Sequence, residues 1–301
     1  MALLGSAGDP ATAPTQSSSA PNTAAAAPTH RSSAPMFPSA RIHHLFSGPQ
    51  NKSTSLSIEL AKVGIDCTDK DIVNKHLHDQ DLLDDTTWER CKYEMVHESL
   101  GVAAGPPCGT FSSLRNHRPG PPVLRSISHL HGMPSILKDP NLKLQLRTDD
   151  ILAERALEAC ELMHLHCKAF VLEQFEPGLD QPSLFLFPRA IALAKKPGVY
   201  EVRFDQCMFG ALTTKPSKLL VFGLALRHLH EVRCNHAWDW HSYSDTSGRT
   251  QWKWAKHPPL VGAKVKGEWA SKRAAHYPQG LNHELAMAFL QKSITPQAQS
   301  S

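Results

Sequence analysis

Between residues 41 and 205, short apolar runs alternate with longer segments whose apolar residues recur at helical spacing, and this alternation restricts the fold more than any other feature. Residues 42–46, 65–73, 100–104, 168–173 and 199–204 read as strands, and residues 53–63, 86–97, 149–165 and 184–194 as helices. In the first helix Leu56, Leu60 and Val63 share a face; in the third, Ile151, Ala156, Leu157, Cys160, Leu162 and Met163 favour one side. Strands and helices in this order build a parallel, doubly wound α/β sheet. Right-handed crossovers then bring the loops after the strands to one edge, where open α/β sheets hold their ligands.

Composition narrows the setting. A chain of 301 residues can bury an ample core, and its net charge of +4 does not by itself announce a nucleic-acid binder. The seven cysteines form no C-x-x-C pair, so neither a disulfide framework nor a zinc site is expected, and a reducing intracellular compartment fits. The eighteen histidines are scattered, and no metal is expected. No apolar run approaches the about 20 residues that span a bilayer, so a soluble chain is expected. Residues 1–39 are Ala, Pro, Ser and Thr with almost no charge, a composition that cannot offset the entropy of ordering and reads as a disordered tail. An organelle-targeting role for that tail has little support, and the nucleus is a plausible compartment.

The loop after the third strand is the sharpest local signal. Gly105-Pro106-Pro107-Cys108-Gly109-Thr110-Phe111-Ser112 follows the apolar run 100–104, and two prolines cannot continue a ladder. Cys108 is thus held on a stiff loop at a strand's carboxyl end. The residues alone allow two readings: a positioned nucleophile, or a small, inert cysteine in a stiff loop.

An apolar strand running into Gly-Pro-Pro-Cys-x-x-Phe-Ser resembles the catalytic loop of cytosine-5 DNA methyltransferases. The resemblance implies a Rossmann-like class I methyltransferase sheet, S-adenosyl-L-methionine as cofactor, DNA as partner with RNA left open, and Cys108 as the thiolate that attacks C6 of a flipped cytosine. The strand ending in Phe46-Ser47-Gly48 is similar to the family's first motif, although only Gly48 of its glycines is present. Asp71, with Asp69 in reserve, stands where such folds set a carboxylate on ribose hydroxyls. Asp81-Leu82 resembles the adenine-side motif, and Pro106 joins the cofactor side. Leu172-Glu173-Gln174-Phe175-Glu176-Pro177 is similar to the family's Glu-Asn motif, which makes Glu173 the partner at cytosine N3, with Glu176 possible through a register shift. Pro107, Ser112, Arg115, Arg118 and Arg125 are assigned to substrate, and Arg115 or Arg118 is expected to ionise the thiol.

Further ordered motifs resemble a divergent, mobile-element branch of these proteins. They are Gly120-Pro121-Pro122 with Leu124-Arg125, His131-Gly132-Met133-Pro134, Asp205-Gln206-Cys207, Lys215-Pro216-Ser217 and Tyr277-Pro278 with Leu281. The arginine pair of a Gln-x-Arg-x-Arg motif is missing, as is a Gly-Asn segment. Two rivals follow: a catalytically degenerate methylase fold kept to bind nucleic acid for a mobile element, and an amino methylase, disfavoured by Cys at position 108.

Residues 40–235 are read as the methyltransferase-like core, 236–291 as a basic, Trp-rich extension and 292–301 as a second tail. Residues 241–301 hold eight Lys or Arg against three Asp or Glu, with Trp238, Trp240, Trp252, Trp254 and Trp269 in or beside them. That mixture suits either a nucleic-acid groove or a small second core filled by tryptophan.

Overall fold

The computed structural model describes residues 40–47, 55–71, 80–112, 115, 121–245, 247–260, 264–265, 268–269 and 277–295. Both expected tails fall wholly or largely outside them. Six strands form the main sheet: β1 (Arg41–Leu45), β2 (Asp66–Lys70), β3 (Gly101–Ala104), β4 (Ala169–Phe175), β5 (Tyr200–Asp205) and β6 (Pro216–Phe222), in the order β2-β1-β3-β4-β6-β5. The first four run parallel. β6 lies antiparallel between β4 and β5.

Side-chain alternation divides the core into two layers. Leu45, Val102, Ala104, Phe170, Leu172 and Leu220 pack under α2 (Asp85–Glu98), α3 (Pro140–Leu165) and α4 (Pro188–Ala194). Ile42, Ala103, Val171, Val202, Leu219 and Val221 face the other layer, formed with α1 (Leu56–Lys62) and α5 (Gln279–Ile294). His43 is buried in the middle of β1, and burial together with Lys70 pushes its pKa down to about 4, so the strand's core contains a neutral imidazole. Lys168 donates to the carbonyls of Met95, Val96 and Ser99, covering the otherwise unpaired carboxyl end of α2.

Several elements differ from the sequence reading. α3 begins at Pro140 rather than 149, because Asp139 caps it by accepting from the Asn141 and Leu142 amides and Pro140 suits the first turn. Its early turns are largely exposed and carry no apolar period. The expected helix over 184–194 divides at Pro188 into a short 3₁₀ turn and α4, since proline starts a helix but cannot continue one. β6 carries no strand expectation. Residues 206–215 supply no crossover helix between β5 and β6, so the chain must return antiparallel.

Beyond the main sheet, β7 (Asp239–Ser244), β8 (Thr250–Ala255), β9 (Lys264–Val265) and β10 (Glu268–Trp269) form an antiparallel sheet in the order β10-β9-β7-β8. Register puts Trp240 opposite Trp254 and Ser242 opposite Trp252, so three tryptophans share one face. They are 58%, 50% and 63% exposed in the order Trp240, Trp254, Trp252, so they do not fill a second core. α5 departs from the extension: Leu281, Leu285, Ala288 and Phe289 are buried, the helix packs against α1 beside the main sheet, and it runs past 291 to Ile294. Among the described residues no helix is long and apolar enough to cross a membrane.

Gly101 tests the tightness of the central pairing. A Cβ added there would lie 2.3 Å from the Ala169 carbonyl oxygen on the adjacent strand, a backbone atom that cannot swing away. Gly101→Ala is expected to lower unfolding stability by about 1–3 kcal/mol through overpacking, read as a shifted urea midpoint with an unchanged slope.

Candidate active site

Four parallel strands end on one edge, and the residues that follow them are neighbours for that reason. β1 leads into Phe46 and Ser47, β2 into Asp71 and β3 into Gly105–Cys108, while Glu173 lies near the carboxyl end of β4. Gly48 and Arg118 lie outside the described residues.

The Cys108 loop is braced from behind. Arg115 donates from Nε to the Gly109 carbonyl at 2.7 Å and from Nη1 to that of Pro122 at 3.1 Å. Thr110 Oγ1 donates to Asp149 at 2.8 Å and accepts from Arg125 Nε at 3.0 Å. Arg125 is only 1% exposed; its guanidinium stacks 4.1 Å over Phe111 and binds Asp150 at 2.6 Å and the Leu130 carbonyl. The substrate role expected of Arg125 is therefore corrected: it is an internal strut, and its donors already have partners. Arg115 likewise serves loop carbonyls. Ser112 is half-buried, and its carbonyl accepts from the Arg115 amide.

Glu173 collects the motifs that follow it in sequence. Its Oε1 accepts from Gln206 Nε2 at 3.1 Å and Ser217 Oγ at 3.0 Å, and its Oε2 accepts from Tyr277 Oη at 2.8 Å. Gln206 Nε2 also donates to Ser217 Oγ at 2.8 Å. Burial, and then the Glu173 carboxylate, raise the Tyr277 phenol well above its ordinary pKa, so it remains a donor. The phenol also passes against the Cys108 loop: a Cβ on Gly105 would sit 2.1 Å from Tyr277 Oη, and the Lys215 ammonium lies 5.3 Å from the ring centre. Glycine is needed at 105 for that reason.

The Cys108 side chain opens to solvent at the mouth of a crowded recess. Desolvation in the recess raises its thiol pKa, the Lys215 charge opposes the rise and Glu173 adds to it. The thiol is thus protonated at rest, and the cation that favours ionisation is Lys215 rather than Arg115. Sequence reasoning quoted Gln206, Lys215, Ser217 and Tyr277 only as motif letters; contact with Glu173 or with the thiol's field gives them a chemical setting.

Neighbouring acids separate clearly. Glu176 is gripped by Arg233 through two bonds of 2.5 and 3.1 Å, which removes it as the alternative to Glu173. Gln174 points away from Glu173, is buried, and accepts from Ser183 Oγ and the Leu184 amide, so it holds a turn. Asp69 is within β2, bonded to His44 Nδ1 at 3.0 Å, whereas Asp71 follows the strand at the edge. Leu82 is completely buried among core side chains, a correction to its expected cofactor contact, and Asp81 accepts from the Leu83 amide at the turn into α2. Pro106 is buried and Pro107 half-buried beneath the loop. Phe46 takes a left-handed backbone (φ 63°) where the chain leaves β1.

Among the described residues, two groups of side chains have metal-ligating chemistry: His44, Cys67 and Asp69 across β1 and β2, and Cys207, Cys234, His236 and His257 beside the end of β5.

No protein-family model matches the chain, and no curated protein matches it. Among solved structures, it is similar at a TM-score of 0.34 and 15% identity to a prophage-encoded E. coli protein described as a DNA modification methyltransferase. That likeness covers 61% of this chain and 46% of the other, so the chain spans under half of the matched protein's length.

Two measurements probe this geometry. Removing the ammonium in Lys215→Met takes away the charge that favours thiolate. Alkylation of Cys108 by iodoacetamide at neutral pH should slow roughly 3- to 10-fold, because only the thiolate reacts; Glu173→Gln should speed it. Peptide mass spectrometry separates Cys108 from the exposed Cys167. Arg125→Met strands Asp150 and Thr110 and should lower stability by about 3 kcal/mol, read as a shifted urea midpoint.

Proposed function

We propose that this protein is an S-adenosylmethionine-dependent, cytosine-5-type nucleic-acid methyltransferase in which Cys108 is the nucleophile and Glu173 the acid partner. The observation that carries the reading is their placement: a cysteine on the β3 exit loop and a glutamate on adjacent β4, at one sheet edge, with Tyr277 against both. The four parallel strands β1 to β4 are compatible with the parallel-dominated sheet that this reading requires.

The cofactor side fits at the level of donors. Asp71 directly follows β2, which pairs with β1, and its carboxylate is the group assigned to the ribose hydroxyls. The bound cofactor supplies an electrophilic methyl group. Everything else falls to the chain's own residues. The cytosine must leave its stack to reach them. Its N3 is an acceptor, so for N3 to take the place of the Tyr277 hydroxyl Glu173 must carry a proton, the one the Cys108 thiol gives up; the carboxylic acid then donates to N3 and drains the negative charge that attack on C6 places in the ring. Proton transfer from thiol to Glu173 removes the carboxylate charge that holds the thiol pKa up, so base binding and thiolate formation reinforce each other. Cys108 Sγ, now a thiolate, bonds to C6, C5 is methylated, and the C5 proton passes to water as the C6–S bond breaks and the thiolate leaves.

DNA is the proposed partner. Trp240, Trp252 and Trp254 are exposed on one face of the small sheet, which suits stacking on bases, and Arg249 in the β7–β8 turn supplies a cation for phosphate. One observation favours a second reading, a degenerate methylase fold that only binds nucleic acid. Both Glu173 oxygens already have protein donors.

The test is covalent trapping. With S-adenosylmethionine and DNA containing 5-fluorocytosine, wild-type protein should form an adduct stable to denaturing gels, since fluorine cannot leave C5 as a proton. Cys108→Ser should abolish it and leave cofactor affinity intact, whereas Asp71→Ala should weaken cofactor binding by about 1–3 kcal/mol. Measurable cofactor and DNA binding with no adduct would favour the binding-only reading; absent cofactor binding would remove the methyltransferase reading.

A further inference from the structure

We propose that Cys207, Cys234, His236 and His257 bind one zinc ion tetrahedrally and that the ion fastens the tryptophan-bearing sheet to the turn after β5. Their ligand atoms all lie within 4.8 Å of one another. Cys234 Sγ is 3.2 Å from His257 Nε2 and 3.6 Å from His236 Nδ1, and the two imidazoles meet edge to face at 4.8 Å. Zinc bonds of about 2.0–2.3 Å to nitrogen and sulfur give a tetrahedron with edges of roughly 3.3–3.8 Å, so the cluster needs only slight contraction. Two sulfurs and two nitrogens in this shape select zinc over magnesium or calcium, which prefer oxygen.

The ligands come from three places and are positioned by other contacts. Cys207 is buried in the short turn Gln206–Phe209 directly after β5. Cys234 and His236 precede β7, and the Cys234 amide donates to Asp205 Oδ2 at 2.8 Å, which ties that segment to the end of β5. His257 follows β8, and its ring also hydrogen-bonds the main chain at Leu212, the kind of outer contact that orients a ligating imidazole. Asp239 pairs with Ala255 at the open end of the β7–β8 hairpin, so His236 and His257 flank that end on its two strands. An ion held there closes the base of the hairpin and joins it to Cys207.

Binding is an acid–base exchange without redox change. Each cysteine thiol gives its proton to solvent and bonds as thiolate, and each histidine bonds through a neutral nitrogen, so the bound ion is formally neutralised. The site is separate from the Cys108–Glu173 pair and does not depend on methyl transfer.

Elemental analysis of the full chain, purified without chelator or added metal, should find one zinc per protein. After chelation, titration with Co²⁺ should give thiolate charge-transfer and tetrahedral visible bands that saturate at one equivalent and vanish on adding Zn²⁺. Cys234→Ser and Cys207→Ser should abolish these bands, and Cys167→Ser should leave them unchanged. Because a core ligand's loss can unfold the chain, His236→Ala at the exposed ligand is the second variant; it should remain folded by circular dichroism yet bind Co²⁺ at least about tenfold more weakly. Folded wild-type protein with neither zinc nor tetrahedral cobalt bands would overturn the proposal. So would bands that survive Cys234→Ser, full cobalt affinity in His236→Ala, or a Cys207–Cys234 disulfide in the freshly purified protein.

Discussion

The reversed pairing of β6 between β4 and β5 is the constraint on which the candidate site depends. Because β6 runs against its neighbours, its first residues lie where β4 and β5 finish: Ser217 pairs with Phe175 on one side and Phe204 on the other. Ser217 and the turn holding Gln206 thereby meet Glu173 from the side, and both donate to Oε1. A parallel sixth strand would put Ser217 at the opposite edge. Lys215, immediately before β6, reaches the thiol's field for the same reason, and it holds a left-handed backbone (φ 36°) to do so. Backbone strain in a side-chain-bearing residue persists only where surrounding contacts enforce it. Here it coincides with the convergence of two strands, a half-buried carboxylate and a cysteine loop.

How much of this was legible in the sequence follows from the range of each interaction. Strand–helix alternation is local, and it located β1 to β5 within a few residues and the first two helices closely, including the common edge shared by Cys108 and Glu173. The start of α3 was illegible because periodicity records only the turns that touch the core, and 140–148 largely do not. Arg125 illustrates a different limit. An arginine beside a cysteine loop is equally suited to binding phosphate and to bracing the loop, and only the positions of Phe111, Asp149 and Asp150 decide for the second. The tryptophans were ambiguous until strand register put three on one exposed face. The Cys–His cluster was hidden because its four ligands span fifty residues; Cys234-x-His236 was the only short-range hint.

Glu173 and Cys108 make opposing electrostatic demands. A carboxylate close enough to serve N3 of a base is also close enough to keep a neighbouring thiol protonated. Three donors satisfy the acid, and Lys215 partly offsets its effect on the sulfur. Tyr277 completes the arrangement. Its phenol is buried against Glu173, and its place beside Gly105 links the segment before α5 to the cysteine loop. A ligand that takes the phenol's place on Glu173 must therefore also release that link. Opening the acid and freeing the loop are thus one event.

That coupling extends to the small sheet through adjacent residues. Gln206 holds Glu173, and Cys207, the next residue, belongs to the Cys–His cluster at the base of the β7–β8 hairpin. The turn carrying both is short, and it closes at Gly210 in the left-handed conformation (φ 98°). Such a turn has little freedom to move one residue without the other. Order imposed at Cys207 is therefore order imposed on the donor to Glu173. The exposed tryptophan face and the half-buried Glu173 carboxylate, distant in sequence, are joined through two consecutive side chains. That short path of two consecutive residues leaves little slack between the small sheet and the Glu173 carboxylate.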